Sequence, residues 1–318
     1  MGVFLLLLTT IIWFSDFFIK EQITISGSVE SISAELNNLF KNTPFYNKFL
    51  SFILAGVNAF LIGQLNNRFT ILRNRSFLPI LLYAIAIACW PDTHSQVMTH
   101  ITLSLFILSL FSLFRIYRNR NASEPVFLSS LLIATASLIY EPMILYIPLI
   151  WVGLSILYSF TFRHFLATIL GVLAPWVLFF VIKYLQYEDF NWVYQLQYTF
   201  YVGFDILLRP MHELIYIIIL MILNVIVLIN ISMNIHQDSM QSRALISFNT
   251  WILITSTLFS FVFRNTYVVF LPIIAMTMAV MISHPLTINK TKMHKIIFIS
   301  YITVNLAYFL ANLILLPR

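Results

Sequence analysis

The sequence predicts an all-α fold, a single polytopic transmembrane domain over residues 1–318 with about eleven membrane-spanning helices. Hydrophobic residues make up 60% of the chain and charged residues only 9%. Soluble domains carry about 25% charged residues, so this chain cannot cover a globular surface with polar groups. Its apolar runs repeatedly reach the roughly 17–25 residues that a helix needs to cross a bilayer. The runs are continuous rather than alternating, which favours helices over barrel strands.

The predicted spans follow these apolar runs in chain order. They lie at residues 2–18, 50–66, 77–90, 97–115, 126–140, 142–160, 164–184, 213–232, 244–262, 266–283 and 295–316. The first run has no basic residue ahead of it, and bulky Trp13 and Phe14 stand where a cleavable signal carries small residues. We therefore predict that it is retained as the first span. The third and fifth runs are short.

Charge predicts the topology, because basic and acidic residues fall in alternate connections between the spans. One set of connections holds eleven of the eighteen Lys and Arg residues and two of the twelve acids, Glu124 and Asp238. The other set holds seven cations and ten acids. Short cytoplasmic loops retain Lys and Arg, so the N-terminus is predicted to lie inside and the C-terminus outside. The net charge of +6 then reflects membrane orientation and predicts no nucleic-acid partner.

Two of the predicted outer connections are long. In the first, apolar residues recur at helical spacing over residues 28–40 behind a plausible Ser28 cap, which predicts an amphipathic helix on the outer membrane surface. The second, residues 185–212, is rich in aromatic residues. These are typical of an interfacial belt, with stacking on a sugar or contact with a lipid tail as the alternatives.

Four charged residues form the candidate site, since each is predicted at the outer end of a span: Asp16, Asp92, Glu141 and Arg264. Ionisable groups at membrane depth are costly unless they are paired or wetted, which favours a functional role. One carboxylate can act as a general base, and others can hold a divalent cation such as Mg²⁺ or Mn²⁺. An arginine fork suits phosphate. The alternative is that these residues lie in the headgroup region and only set topology.

The remaining polar residues give weaker predictions. His94 lies two residues beyond Asp92 and is a further candidate for phosphate binding, a metal site or proton relay, whereas His100 is interpreted as a packed polar group. Four histidines of the inner side are interpreted as headgroup contacts: His164, His236, His284 and His294. Asn58 is expected to join helices within the membrane. Cys89 is interpreted as a small buried hydrophobe.

The layout of residues 1–200 resembles the membrane module of the GT-C glycosyltransferases, which use sugars linked to polyprenyl phosphate. Asp16 after the first span, the helix predicted over 28–40 and Asp92 in the second outer connection match that module. From Trp90 to Pro175, the order and lengths of the predicted spans and of the connections between them are also similar to that module. The chain departs from the family in having Ser15-Asp16 where many members have an adjacent acidic pair. It is also similar to a family of bacterial integral membrane proteins.

This resemblance implies transfer of a sugar from a lipid-phosphate donor at the outer face of a bacterial inner membrane. Asp16 would be the catalytic base, Asp92 and Glu141 would bind a divalent metal or the acceptor, and Arg264 with His94 would bind phosphate. Residues 201–318 would add further transmembrane helices, and membrane lipids and the lipid-linked donor would be partners. The alternatives are a non-enzymatic subunit that scaffolds an envelope or secretion complex with membrane-protein partners, and a lipid transporter or flippase.

Overall fold

A computed structural model describes residues 2–15, 44–187, 211–234, 238–263, 267–288 and 292–315. Within these ranges the chain forms eleven α-helices and two short 3-10 turns, and it contains no strand. The helices are α1 Gly2–Ser15, α2 Pro44–Phe69, α3 Leu78–Ala88, α4 Val97–Phe114, α5 Ser123–Ile139, α6 Ile147–Ile156, α7 Phe162–Tyr187, α8 Met211–Asn234, α9 Met240–Val262, α10 Tyr267–Ile288 and α11 Lys292–Leu315. The 3-10 turns are Pro91–Thr93 and Glu141–Tyr146. The all-α prediction is therefore confirmed for this part of the chain.

Seven of the described helices are long and apolar enough to cross a membrane: α2, α4, α7, α8, α9, α10 and α11. This agrees with a multi-pass membrane protein. The third predicted span is shorter than expected, because α3 contains 11 residues and rises only about 16 Å at 1.5 Å per residue. The hydrocarbon core of a bilayer is about 30 Å thick. As a helix, α3 alone is too short to cross it.

Helix α10 is the centre of the bundle, with 83% of its span buried, and it packs against α3, α4, α8, α9 and α11. The C-terminal helices therefore belong to the same core as the N-terminal ones. Helix α7 is peripheral, because only 17% of its span is buried and it packs chiefly against α5. Its long apolar face is exposed, as expected of a helix that faces lipid.

Ring contacts show that α2 and α4 run in the same direction. Phe69 and Phe114, at the C-terminal ends of the two helices, lie 5.6 Å apart between ring centroids, and Phe114 also contacts Phe248 near the start of α9. This end of the bundle holds Arg68, Arg73 and Arg75, and we call it the basic end. The opposite end carries Asp92 and Glu213, which lie near each other, and we call it the acidic end.

Candidate functional site at the acidic end

The corner between α3 and α4, residues 89–96, is the centre of the candidate site. Pro91 has no amide hydrogen to continue a helix and disfavours helical geometry in the residue before it. Trp90 accordingly has extended backbone angles, φ −109° and ψ 91°, and the chain turns through Pro91–Thr93 before α4 begins. The Thr93 hydroxyl donates to the Trp90 carbonyl over 2.8 Å and fixes the turn. The sequence thus ends α3 early and holds Asp92 in a rigid corner.

This corner is recessed between longer helices. Asn58, whose side-chain amide donates to the His100 carbonyl over 2.9 Å, lies fourteen residues beyond Pro44, or about 21 Å below the first residue of α2. On the other side, Asn305 lies ten residues, or about 15 Å, below the last residue of α11. Asn305 is joined to the corner through Tyr216. Asp92 therefore lies level with the starts of α8 and α10, while α2 and α11 extend beyond it.

Asp92 is half-buried and bound to the first residue of α10. The Tyr267 hydroxyl donates to Asp92 Oδ2 over 2.9 Å. Glu213, in the first turn of α8, lies within electrostatic range of the same tyrosine. The site thus contains a second carboxylate and a phenol that were not among the predicted site residues. The one sequence signal for Glu213 is its position three residues into a strongly apolar helix.

His94 is fully buried and joins α1 to the corner. Its ring stacks on Trp13 with centroids 3.9 Å apart, and its Nε2 lies 3.2 Å from the Ile87 carbonyl. Because a carbonyl only accepts hydrogen bonds, Nε2 carries the proton and is already used. Binding of phosphate by Nε2 would require this hydrogen bond to break. The Trp13 indole in turn donates to the Lys48 carbonyl of α2 over 3.4 Å.

Glu141 lies in the first turn of Glu141–Tyr146 and is 4% exposed. Its neighbour Tyr140 has extended backbone angles and lies beside Thr99 in the first turn of α4. The second corner of the candidate site is thereby close to the first. Pro142 is the second residue of this 3-10 turn, a position where its missing amide hydrogen costs nothing.

Asp16 and Arg264 lie outside the described residues, as do the predicted helix over 28–40 and residues 188–210. Two described residues near these positions, Trp13 and Tyr267, contact the corner. Ser15, one residue before Asp16, ends α1, whose Trp13 packs on His94. Tyr267, three residues after Arg264, binds Asp92.

A buried polar network holds the corner to α8 and α11. The Trp90 indole donates to the Tyr216 hydroxyl over 2.5 Å, and that hydroxyl donates to Asn305 Oδ1 over 2.9 Å. The Asn305 amide donates to the Tyr301 carbonyl over 2.8 Å, and Tyr308 stacks on Tyr216 at 4.0 Å. The Trp90 indole, the Tyr216 hydroxyl and the Asn305 amide each have a hydrogen-bond partner in this network, which makes the position of Trp90 rigid.

A second network lies below the corner, on the α2 side. The Ser104 hydroxyl donates to Asn58 Oδ1 over 2.7 Å, and His100 Nε2 donates to the Thr93 carbonyl over 3.1 Å. Both Asn58 and His100 are fully buried. The interpretations of Asn58 as a link between helices and of His100 as a packed polar group are therefore confirmed.

The divalent metal ion stays a prediction. No group of three His, Cys, Asp or Glu side chains that could hold a metal occurs among the described residues. Asp92 and Glu141 remain the two candidate ligands, and a stable site needs more ligands than two carboxylates supply.

A separate charged cluster lies at the basic end. Asp238 Oδ1 accepts from Arg73 Nε at 2.6 Å, and Oδ2 accepts from His284 Nε2 at 3.0 Å. The cluster joins the connection after α2 to the start of α9 and the end of α10. The interpretation of His284 as a headgroup contact is wrong, because its side chain is 1% exposed and bound to Asp238. His164 is likewise buried, with Nδ1 2.6 Å from the Ser159 carbonyl.

Within the described residues the protein is all-helical, with seven helices long and apolar enough to cross a membrane and a polar corner at one end of the bundle. No protein family, curated protein or solved structure matches the chain.

Proposed function

We propose that the protein is a membrane glycosyltransferase that takes a sugar from a lipid-phosphate donor, with its site at the recessed acidic corner. As the sequence predicts, the site would lie at the outer face of the inner membrane. One observation supports it most. The ends of α1 and α10 that adjoin Asp16 and Arg264 both contact residues 90–94, the corner that holds Asp92.

Burial of the corner suits this chemistry. A recess within the bundle excludes bulk water, which strengthens charge interactions and protects the sugar donor from hydrolysis. Ile215, Ile218 and Ile222 are exposed on α8, the helix that also carries Glu213. A polyprenyl chain can lie against such a surface while its phosphate enters the polar corner.

The proposed reaction is a single displacement at the anomeric carbon. Asp16 accepts the proton of the acceptor hydroxyl, whose oxygen attacks C1 of the sugar. The bond between C1 and the phosphate oxygen breaks, and the lipid phosphate leaves as an anion that Arg264 stabilises. Asp92, oriented by Tyr267, and Glu141 bind the acceptor or a divalent cation such as Mg²⁺ or Mn²⁺. No step of this reaction depends on the metal.

The test compares Asp16→Asn with the matched control Glu35→Gln, an acid of the same predicted outer connection. Purified full-length protein is given polyprenyl-phosphate-linked hexose, and release of polyprenyl phosphate is measured. Loss of a general base costs about 10²- to 10⁴-fold in rate. We expect a loss in that range for Asp16→Asn with an unchanged melting temperature, and full activity for Glu35→Gln.

The outcome also separates the alternatives. Activity that survives Asp16→Asn would contradict the proposed role. If Asp16, Asp92, Glu141 and Arg264 can each be replaced without consequence, and a membrane protein co-purifies in fixed ratio, the chain is a scaffolding subunit instead.

A further inference from the structure

Two connections at the basic end form one surface. The Arg118 amide, between α4 and α5, donates to the Leu157 carbonyl, between α6 and α7, over 3.0 Å. The exposed side chains of these two connections and of the start of α7 include four arginines and three aromatic residues: Arg115, Arg118, Arg120, Arg163, Tyr158, Phe160 and Phe162. We call this set the arginine–aromatic surface.

The charge of this surface is not neutralised within the described part of the chain. None of its four arginines forms an ion pair there, and the nearby acid Glu124 is exposed and does not pair with them. Arg73, at the same end of the bundle, is by contrast bound to buried Asp238. The Arg118 guanidinium lies 5.5 Å from the centre of the Tyr117 ring, a contact that leaves its charge in place. Among the described residues, the positive charge of this surface is therefore left without a neutralising partner.

Two residues of the surface have left-handed backbone angles, Arg118 and Tyr158, each with φ 57°. Glycine adopts this conformation without cost, whereas a residue with a Cβ is strained. Tyr158 lies two residues after the end of α6, a position where helices commonly have glycine, and its amide donates to the Ser155 carbonyl over 3.1 Å. Its side chain is 61% exposed and gains little from contacts within the protein. Strain without an internal gain favours a function for this side chain outside the chain.

We propose that the arginine–aromatic surface binds the headgroup of an anionic phospholipid. Guanidinium groups form paired, charge-assisted hydrogen bonds with phosphate oxygens. Tyrosine and phenylalanine side chains beside them lie at the depth where aromatic residues contact headgroups and the first acyl carbons. The arginines bind the phosphodiester group of the lipid. The surface lies at the end of the bundle opposite Asp92. It does not depend on the transfer reaction.

The experiment measures lipid binding to full-length protein in detergent by native mass spectrometry. The probes are phosphatidylglycerol and phosphatidylcholine with identical acyl chains. One variant combines Arg118→Gln, Arg120→Gln and Arg163→Gln. The matched control combines Arg68→Gln, Arg75→Gln and Lys295→Gln, which removes the same charge from exposed positions at the same end.

Each basic residue near an anionic lipid contributes roughly a fivefold change in affinity. We therefore expect the first variant, which lacks three of these residues, to lose about a hundredfold in affinity for phosphatidylglycerol and the control less than about threefold. Neither variant should change its affinity for phosphatidylcholine. Equal losses in the two variants would show that only overall charge matters and would overturn the proposal.

A second variant keeps the proposal testable if the triple replacement fails to fold. Tyr158→Gly relieves backbone strain, so its melting temperature without added lipid is expected to rise. Its affinity for phosphatidylglycerol is expected to fall severalfold. A stabilised protein that binds phosphatidylglycerol as the unmodified protein does would overturn the proposal.

Discussion

Removal of the Tyr216 hydroxyl tests the network that fixes the recessed corner. In Tyr216→Phe the ring still stacks on Tyr308, but the Trp90 indole loses its acceptor and Asn305 Oδ1 loses its donor. Both groups are buried, at 3% and 0% exposure. A hydrogen bond in a membrane bundle contributes about 0.6 kcal/mol on average, and an unsatisfied buried group costs about 1–3 kcal/mol. Two orphaned buried groups give an expected loss of about 2–6 kcal/mol in the free energy of unfolding.

The measurement is the free energy of unfolding from SDS titration in mixed micelles, followed by tryptophan fluorescence. The matched control is Tyr117→Phe, because the Tyr117 hydroxyl is buried and has no hydrogen-bond partner in the described structure. Removal of this hydroxyl is expected either to raise the free energy of unfolding or to lower it by less than about 0.5 kcal/mol. Equal values for the two variants would refute the account of the corner as a structure held by Tyr216.

Three further changes have defined outcomes. Gly171→Ala should lower the unfolding free energy by about 1–3 kcal/mol, since the added Cβ would lie 2.6 Å from the Phe127 carbonyl oxygen and would clash with Ser130. An unchanged unfolding free energy would show that α5 and α7 pack less closely than described. Asp238→Asn should lower the unfolding free energy by about 2–4 kcal/mol, somewhat less than the loss of a fully buried pair because Arg73 is 26% exposed. Its control, the exposed Glu124→Gln, should leave the unfolding free energy unchanged in the same titration. Tyr267→Phe should slow the proposed transfer severalfold with little loss of melting temperature, and unchanged activity would contradict its role in orienting Asp92.

Much of the fold could be predicted from the sequence, because long apolar runs in a chain with few charges have helices as their simplest solution. Nine of the eleven predicted spans overlap a described helix over most of their length. The sixth, 142–160, covers only the 10-residue α6 and most of the 3-10 turn before it. The third was predicted to 90, yet α3 ends at Ala88 and contains too few residues to cross a bilayer. The apolar run extends to Trp90, but Pro91 ends the helix first.

The depth of the corner could not be predicted, since it depends on how far α2 and α11 extend beyond it in space. Contacts between residues far apart in the sequence could not be predicted either. His284 and Asp238 are 46 residues apart, and nothing local indicates that they pair. Glu213 was counted among the acids of the outer side, but only the position of α8 beside α10 brings it near Tyr267.

The central claim is that charges from four distant parts of the chain gather around one corner. The most direct measurement is thiol cross-linking of Asp16→Cys with Arg264→Cys, in a Cys89→Ala background that removes the natural cysteine. The control pairs Arg264→Cys with Arg120→Cys, at the basic end. The account predicts rapid intramolecular cross-linking by a short bifunctional reagent for the first pair and none for the control. A first pair that reacts no faster than the control would contradict it.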